Sequence, residues 1–419
     1  MSDEIASAVE HSAEDFNEER LETTCCIAGG GPAGMMLGLL LARAGVDVLV
    51  LEKHGDFLRD FRGDTIHPST MEVLHELGLL DEFLKRPHQK VQQFQVQVGG
   101  RKITLADFSR LPVRCPFIAF MPQWDFLNFL EEHARRLSAF HLRMQTEVVD
   151  LVEEDGRIVG ARAKTPDGEL EIRAALTVGA DGRHSTVRQR AELVVEDIGA
   201  PIDVLWMHIS RRPDDPSQLQ GRFDRGRALV MIDRGEYWQC GYLIRKGGFD
   251  EIKERGIAWF REDLVAIAPF LRNRVAEIAG WDQIKLLSVV VDRLQDWSRP
   301  GLLCIGDAAH AMSPVGGVGI NLAIQDAVAA ANLLAAPLRE GGVAPEELEK
   351  VQERRELPTR VTQGLQVFLH RHFLYPVLAT SSRASVPWFM ELIPRLPVVR
   401  RLPARVIGVG VRAEHVQVS

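Results

Sequence analysis

The hydrophobic positions of the chain change period within its first fifty residues. Thr23 to Ala28, "TTCCIA", is a continuous β-branched and apolar run, which predicts a parallel strand buried on both faces. Glycines at 29, 31 and 34 follow at once. Pro32 and Ala33 then open a helical run that stops at Gly45, and a second apolar strand, Val46 to Leu51, ends in Glu52. The order strand, glycine turn, helix, strand, acid predicts a βαβ unit. A lone G-x-G-x-x-G says little, but this context gives each glycine a task. Gly29 makes the tight turn, Gly31 lets a pyrophosphate approach the backbone, and Gly34 lets the helix pack close on the strand. The helix N-terminus offers free N–H groups and a positive dipole end to the phosphates. Glu52 follows Gly34 at close to the roughly 20 residues expected of the acid that binds the adenosine ribose hydroxyls. At this point NAD and FAD fit equally well.

Two later segments repeat the strand-to-turn signal. "LTVGADGRHSTVR", Leu176 to Arg188, is an apolar strand running into an Asp181-Gly182 turn and a polar helix start. From Arg299 to Ala336, the short apolar strand "LLCI" ends at Gly306-Asp307. A loop with Pro314, Gly316, Gly317 and Gly319 follows, and a long apolar helix begins near Ile320 and Asn321. A strand end and a helix N-terminus converge there, which suits an anionic or electron-rich group. Residues 93–116 and 196–284 read as strands with some helix, with alternation in "DVLWMHIS", "RALVMID" and "EYWQCGYLI".

A length of 419 residues predicts two or three domains, or one large domain with an insertion. Apolar residues at 46% and charged residues at 26% give an ordinary globular composition with material for a sizeable core. The net charge of −8 argues against nucleic acid as a bulk partner. Five cysteines, adjacent at Cys25 and Cys26 and otherwise scattered, without C-x-x-C predict reduced thiols in a cytoplasmic protein, with neither a disulfide frame nor a zinc site. Residues 1–20 are polar and acidic, which predicts a flexible tail and no signal peptide. No run approaches the roughly 18 consecutive apolar residues of a spanning helix.

GGGPAG with Glu52, GADG at Asp181, and GDAAH…P.GG.G.N from Gly306 to Asn321 stand in an order that resembles a known family. The chain is similar to the FAD-dependent aromatic hydroxylases, the group A flavoprotein monooxygenases with the para-hydroxybenzoate hydroxylase fold. The motifs span about three quarters of the chain, from Cys25 to Ala336. The resemblance implies an α/β fold: a Rossmann-like FAD-binding domain of glutathione-reductase type, interleaved with a mixed-sheet substrate domain and followed by a C-terminal helical segment. Residues 21–92, 117–195 and 285–357 would form the first, 93–116 and 196–284 the second, and 358–419 the third.

The family's cofactor positions fall on Gly29, Gly31, Pro32, Ala33 and Gly34 at the pyrophosphate, and on Glu52 and Lys53 at the ribose. Arg62, in "FRGDTIHPSTMEVLHELGL", would reach the cofactor, although a surface salt bridge is the plainer role. Gln123, in "MPQWDFLNFLEEHA", would touch the flavin side, or simply cap its helix. Val148 would give a backbone contact to adenine. Asp181 would support the pyrophosphate region and a passing nicotinamide nucleotide, and Asp307 would hold ribityl or ribose hydroxyls. Pro314, Gly317, Gly319, Ile320 and Asn321 would line the flavin ring. His310 reads as structural, packed behind its loop.

The reaction the resemblance implies is reduction of FAD by NADH or NADPH, addition of O2, and delivery of one oxygen atom from a flavin hydroperoxide. No protein nucleophile is needed, and no catalytic acid or base is assigned. The nicotinamide would visit a groove, since no second fingerprint is present. The substrate sheet would cover the flavin, with Trp206, Met231, Trp238 and Tyr242 as candidate pocket residues. Few arginines or serines stand at inward positions, which points to a bulky apolar aromatic or quinone-like substrate of secondary metabolism. Hydroxylation and epoxidation both fit. Residues 358–419 hold eight arginines, no lysine and two glutamates, so this end could touch a membrane surface, lid the pocket, or pack on the FAD domain with its arginines in water. The chain would act as a monomer or homodimer. A reductase of a prenyl-type substrate, a halogenase (weakened by the missing G-W-x-W-x-I-P) and a non-catalytic FAD-binding protein are the competing readings.

Overall fold

The structure, a computed structural model, describes residues 19–58, 65–216, 221–387, 390 and 397–417. The strand Glu19–Ala28 is central to an eight-stranded sheet. It pairs in parallel with Val48–Leu51 on one side and Gly168–Gly179 on the other. Phe140–Arg143 and Leu302–Cys304 extend the parallel core outward on the two sides. An antiparallel branch, Glu147–Glu154 and Arg157–Thr165, rises from Gly168–Gly179. The helix Pro32–Arg43 is buried continuously from Ala33 to Ala42, as its lack of any polar stripe demands. It lies between the helices Gln123–Ala134 and Gly319–Arg339. Gly38 lets the helix lie close on the sheet, because a Cβ there would stand 2.9 Å from the Phe140 ring and from Val50.

A second sheet has seven strands in the order Lys285–Ser288, Ile202–Ser210, Tyr237–Arg245, Arg227–Asp233, Gly221–Asp224, Gln93–Val98, Arg101–Asp107. All joins are antiparallel except the parallel one between Gly221–Asp224 and Gln93–Val98, where two distant parts of the chain meet. Strand Lys285–Ser288 therefore belongs to this sheet, beyond the limit expected at residue 284. The outer face is closed by the helix Ile257–Ile267 and the turns after it. The inner face packs with Phe108, Phe373 and Ala404.

The helix Pro345–Leu369 runs straight through the limit expected at residue 357. It lies along Gly319–Arg339 and continues through a π-turn, His370–Leu374, into Tyr375–Ala379. Helix Pro397–Gly408 packs on strand Arg101–Asp107, with Ala404 fully buried. Glu414 then sits buried, accepting 2.9 and 2.8 Å hydrogen bonds from Arg354 Nε. The described part of the C-terminal segment is thus fastened to the rest of the protein. Among the described residues, Gly319–Arg339 alone is long and apolar enough to cross a membrane, and 78% of its most apolar window is buried inside the protein. All five cysteines are free and buried.

Two fully buried histidines tie these late elements to the core. His67 Nδ1 lies 2.7 Å from the Ile407 carbonyl, and His370 Nε2 lies 2.8 Å from Ser313 Oγ. Burial pushes both imidazoles down from 6.5 to about 4. The unfolded chain therefore binds protons between those values that the folded chain refuses. Stability is present above pH 6.5 and lost as pH falls towards 4, by on the order of 2–3 kcal/mol per histidine. We expect the unfolding temperature to drop across that window, and His370→Asn to flatten the slope. An unchanged slope in both His370→Asn and His67→Gln would remove these residues from the acid response.

Candidate functional site

Hydrogen bonding in register aligns the carboxyl ends of four parallel strands: Ala28 pairs with Leu51 and Gly179, and Gly179 with Cys304. The loops after them open into one cavity. Gly29 has φ +108°, and a Cβ there would lie 2.4 Å from the Ala180 carbonyl oxygen. A Cβ on Gly34 would lie 2.0 Å from the Gly29 carbonyl oxygen, so this glycine serves helix packing and does not line the cavity. Gly31 meets nothing within 4 Å, and open cavity lies where its side chain would be. Pro32 and Ala33, which open the helix, line the same wall. Glu52, 8% exposed, accepts from Gly30 N at 3.0 Å through Oε2 and from His54 N at 3.0 Å through Oε1. Its carboxylate is thereby held at the edge of the glycine turn. Lys53 and Val148 line the cavity beside it, with Lys53 Nζ 3.9 Å from Glu147.

Across the cavity, Gly306 turns with φ +60° and places Asp307 on the lining, 3.6 Å from Arg183. Asp326 holds this corner from behind. Its Oδ2 accepts from Gly306 N at 3.1 Å and lies 2.6 Å from His310 Nε2, while its Oδ1 accepts from Arg355 Nε at 2.9 Å. Burial alone would raise the Asp326 carboxyl; His310 and Arg355 outweigh it and hold it below the usual range. Asp181 also lines the cavity, but its carboxylate turns to the start of helix Thr186–Arg190, accepting from Ser185 Oγ and from Val187 N at 3.1 Å. Burial raises that carboxyl.

The third wall is the loop before helix Gly319–Arg339. Pro314, Gly317, Gly319 and Ile320 line it. Gly317 has φ +63°, and Thr65 Oγ1 donates to its carbonyl at 2.7 Å. The helix lacks a side-chain cap, so its first-turn N–H groups remain available to a ligand. Gln123 makes no capping bond to its own helix and faces the cavity. Asn321 is buried instead, accepting from Thr70 Oγ1 at 2.6 Å, and so joins two helices. Arg62 lies outside the described residues.

The inner face of the second sheet closes the cavity with Trp206, Ile232 and Leu287. Of the expected pocket residues only Trp206 is there. Met231, Trp238 and Tyr242 point to the outer face and pack among Phe260 and Leu264. Trp238 Nε1 donates to Asp215 at 2.8 Å, and the Tyr242 hydroxyl bonds Asp263. Both faces of these strands are buried, so the alternation that would tell inside from outside is erased. Sequence reasoning also missed Arg183 and His184, although both follow GADG directly, and Thr65, Ile232 and Leu287.

An open glycine turn, two helix N-termini, two carboxylates at strand ends and a flat glycine loop opposite an apolar sheet fit FAD. The family profile described as "FAD binding domain" matches residues 22–364. A relative, the 6-methylpretetramide 4-monooxygenase of Streptomyces rimosus, is 33% identical over 389 residues, covering 92% of each chain. The chain belongs to the FAD-dependent aromatic hydroxylases. Among solved structures of similar fold, the anhydrotetracycline hydroxylase from Streptomyces rimosus gives a TM-score of 0.73 at 22% identity, covering 93% of this chain and 76% of that one. The p-nitrophenol 4-monooxygenase from Pseudomonas putida gives 0.72 at 22% identity, covering 93% and 94%. This hydroxylase is an FAD-dependent monooxygenase, as the resemblance implied.

The glycine geometry separates binding from folding. Gly31→Val should fold and lose FAD, with affinity down more than about tenfold, since its side chain would occupy only open cavity. Gly34→Ala should lose stability itself, because its Cβ meets backbone. Flavin absorbance alongside thermal unfolding reads both. A fully loaded Gly31→Val protein would refute the phosphate-turn assignment.

Proposed function

We propose that this enzyme uses NADH or NADPH and O2 to hydroxylate a bulky, apolar, polycyclic aromatic or quinone-like substrate in secondary metabolism. The observation that carries this reading is the wall opposite the glycine loop: Trp206, Ile232 and Leu287 are all apolar. Among the described residues of that wall a small benzoate would find no cation to clamp its carboxylate, whereas a fused ring system buries well against it. The 33% relative is named for a monooxygenase of 6-methylpretetramide, which supports the same size class.

Each residue has a physical part in this reading. Gly29 and Gly31 bring backbone to the pyrophosphate, and Glu52 and Asp307 take sugar hydroxyls. The N-terminus of helix Gly319–Arg339 stabilises negative charge on the ring system. Bound FAD supplies the redox and oxygen chemistry. Trp206, Ile232, Leu287 and Met312 exclude water from it. Lys53 and Arg183 place positive charge on the lining, which suits the phosphates of a visiting nicotinamide nucleotide. Five free, buried cysteines suit a cytoplasmic enzyme.

The deciding measurement is NADPH and NADH oxidation in air by the flavin-loaded enzyme against bulky phenols and quinols, with product masses. A stimulated oxidation and a product heavier by one oxygen atom are expected. A product that gains two hydrogens instead would make the enzyme a reductase. The two tryptophans should behave oppositely. Trp206→Ala should raise KM several-fold with flavin content kept. Trp238→Ala should cost stability, about 3–5 kcal/mol, without a selective effect on KM. Equal kinetic effects would undo the assignment of faces.

A further inference from the structure

Residues 412–417 form a strap that is hydrogen-bonded to three helices. On Gly319–Arg339, Gln325 Oε1 accepts from Glu414 N. Asn332 on the same helix accepts from Gln417 N at 2.9 Å and donates to the His415 carbonyl at 2.8 Å. On Pro345–Leu369, Arg355 Nη1 donates to the Arg412 carbonyl at 3.4 Å. Glu76, at the end of helix Pro68–Glu76, accepts from Val416 N at 2.7 Å. The first of these helices points its N-terminus into the cavity, and the second clasps the glycine loop through Gln366.

Within the strap only Glu414 is buried, at 2% exposure. Its carboxylate lies 2.7 Å from Arg354 Nη2 and 3.5 Å from Arg355 Nη1. Arg355, 1% exposed, stands between two carboxylates, because its Nε also donates to Asp326 Oδ1 at 2.9 Å. Asp326 Oδ2 takes the Gly306 N–H at 3.1 Å, and Gly306 is the turn that aims Asp307 at the cavity. Buried groups thus connect Glu414 to the Asp307 corner without a break. A guanidinium is a rigid planar fork, so its orientation is set by all its acceptors together. With the strap withdrawn, Arg355 Nη1 loses both Glu414 and the Arg412 carbonyl. The fork is then free to turn, and Asp326 turns with it.

We propose that Glu414 is a positioning residue for FAD. Docking of the strap fixes Arg355, Arg355 fixes Asp326, and Asp326 fixes the Gly306–Asp307 corner. FAD binding and strap docking therefore strengthen one another, since coupling between two sites is reciprocal. The path to FAD rests on the proposed assignment of Asp307 to sugar hydroxyls.

The test is hydrogen exchange on the full-length protein, with FAD bound and with FAD removed. The amides of Glu414, Val416 and Gln417 each donate to a side chain of a helix, so their protection reports docking. Removal of FAD should speed their exchange about tenfold or more. The central-strand amides of Cys25–Ala28 should stay protected. Exchange of the strap that FAD leaves unchanged overturns the proposal. If removal of FAD also releases the central strand, the variants decide. Glu414→Gln keeps the shape and removes the charge, and should weaken FAD binding about tenfold, read by flavin fluorescence well below the unfolding temperature. Asp307→Asn should weaken FAD binding as well. In that background Glu414→Gln should cost nothing more, because the corner it positions no longer holds the sugar. Losses that simply multiply, or a Glu414→Gln protein with unchanged affinity, overturn the positioning role. Unchanged affinity in Asp307→Asn would instead undo the assignment of Asp307, and the exchange result alone would then decide the coupling.

Discussion

Backbone hydrogen bonds that run on past the ends of the parallel strands hold the site together. Gly29 N donates to Leu51 O at 2.8 Å, Ala180 N to Ala28 O at 2.8 Å, and Ile305 N to Gly179 O at 2.9 Å. Three loops from distant parts of the sequence are thus stitched before they diverge. A parallel sheet forces its connections to pass over its faces and return, so the carboxyl ends of its strands all fall on one edge. The glycine turn, Glu52, Asp181 and Asp307 meet because register, not sequence proximity, decides where they emerge. Gly29 follows from the same constraint. The Ala180 carbonyl passes within 2.4 Å of where a side chain would be, so no other residue fits.

Loops that open onto a cavity cannot satisfy their own backbone, and the protein supplies the missing partners from behind. Asp326, buried completely, takes the Gly306 N–H and is itself held by His310 and Arg355. Gln363 donates to the Asp292 and Ala311 carbonyls, and Gln366 exchanges hydrogen bonds with Ser313. Buried polar groups of this kind contribute little net stability, since desolvation offsets most of their attraction. Their effect is on geometry: each alternative position of the loop would strand a buried donor or acceptor. The C-terminal residues join in through Glu414, which bonds Arg354 and lies 3.5 Å from Arg355.

What the sequence revealed tracks what the fold demands of the backbone. The βαβ unit was legible because a turn with positive φ and a close helix approach admit almost nothing but glycine, and Gly29 and Gly34 stand where those demands fall. The Gly306–Asp307 corner and the Gly317 loop were legible for the same reason. The substrate side was not. Met231 and Ile232 are neighbours of similar size and polarity, and only the pleat decides which faces the cavity. Trp238 and Tyr242 looked like ligand-facing aromatics, but their polar atoms are occupied by Asp215 and Asp263 on the outer face. Those pairings span more than twenty residues and leave no local pattern. A continuous helix crosses the limit expected at residue 357: Leu348 and Val351 before it and Pro358 and Thr362 after it are buried on one stripe.

The two ends of the cavity are therefore built on different principles. At the glycine-turn end the wall is largely backbone, and a side chain at Gly29 would collide with the Ala180 carbonyl. At the sheet end, only side chains project into the cavity, one from each of three strands: Trp206, Ile232 and Leu287. The strands that carry Trp206 and Ile232 are paired on both sides and anchored on their opposite face by Phe260, Leu264 and their neighbours, while Leu287 stands on the edge strand Lys285–Ser288. A substitution at Trp206 or Ile232 reshapes the pocket without altering register, because those strands are fixed by contacts on the other face. The burial that hid the pocket residues from a reading of the sequence is also what lets this wall vary independently of the cofactor site. Under the function proposed above, substrate choice rests on a few apolar side chains, while the oxygen chemistry rests on a glycine-built backbone with little freedom to change.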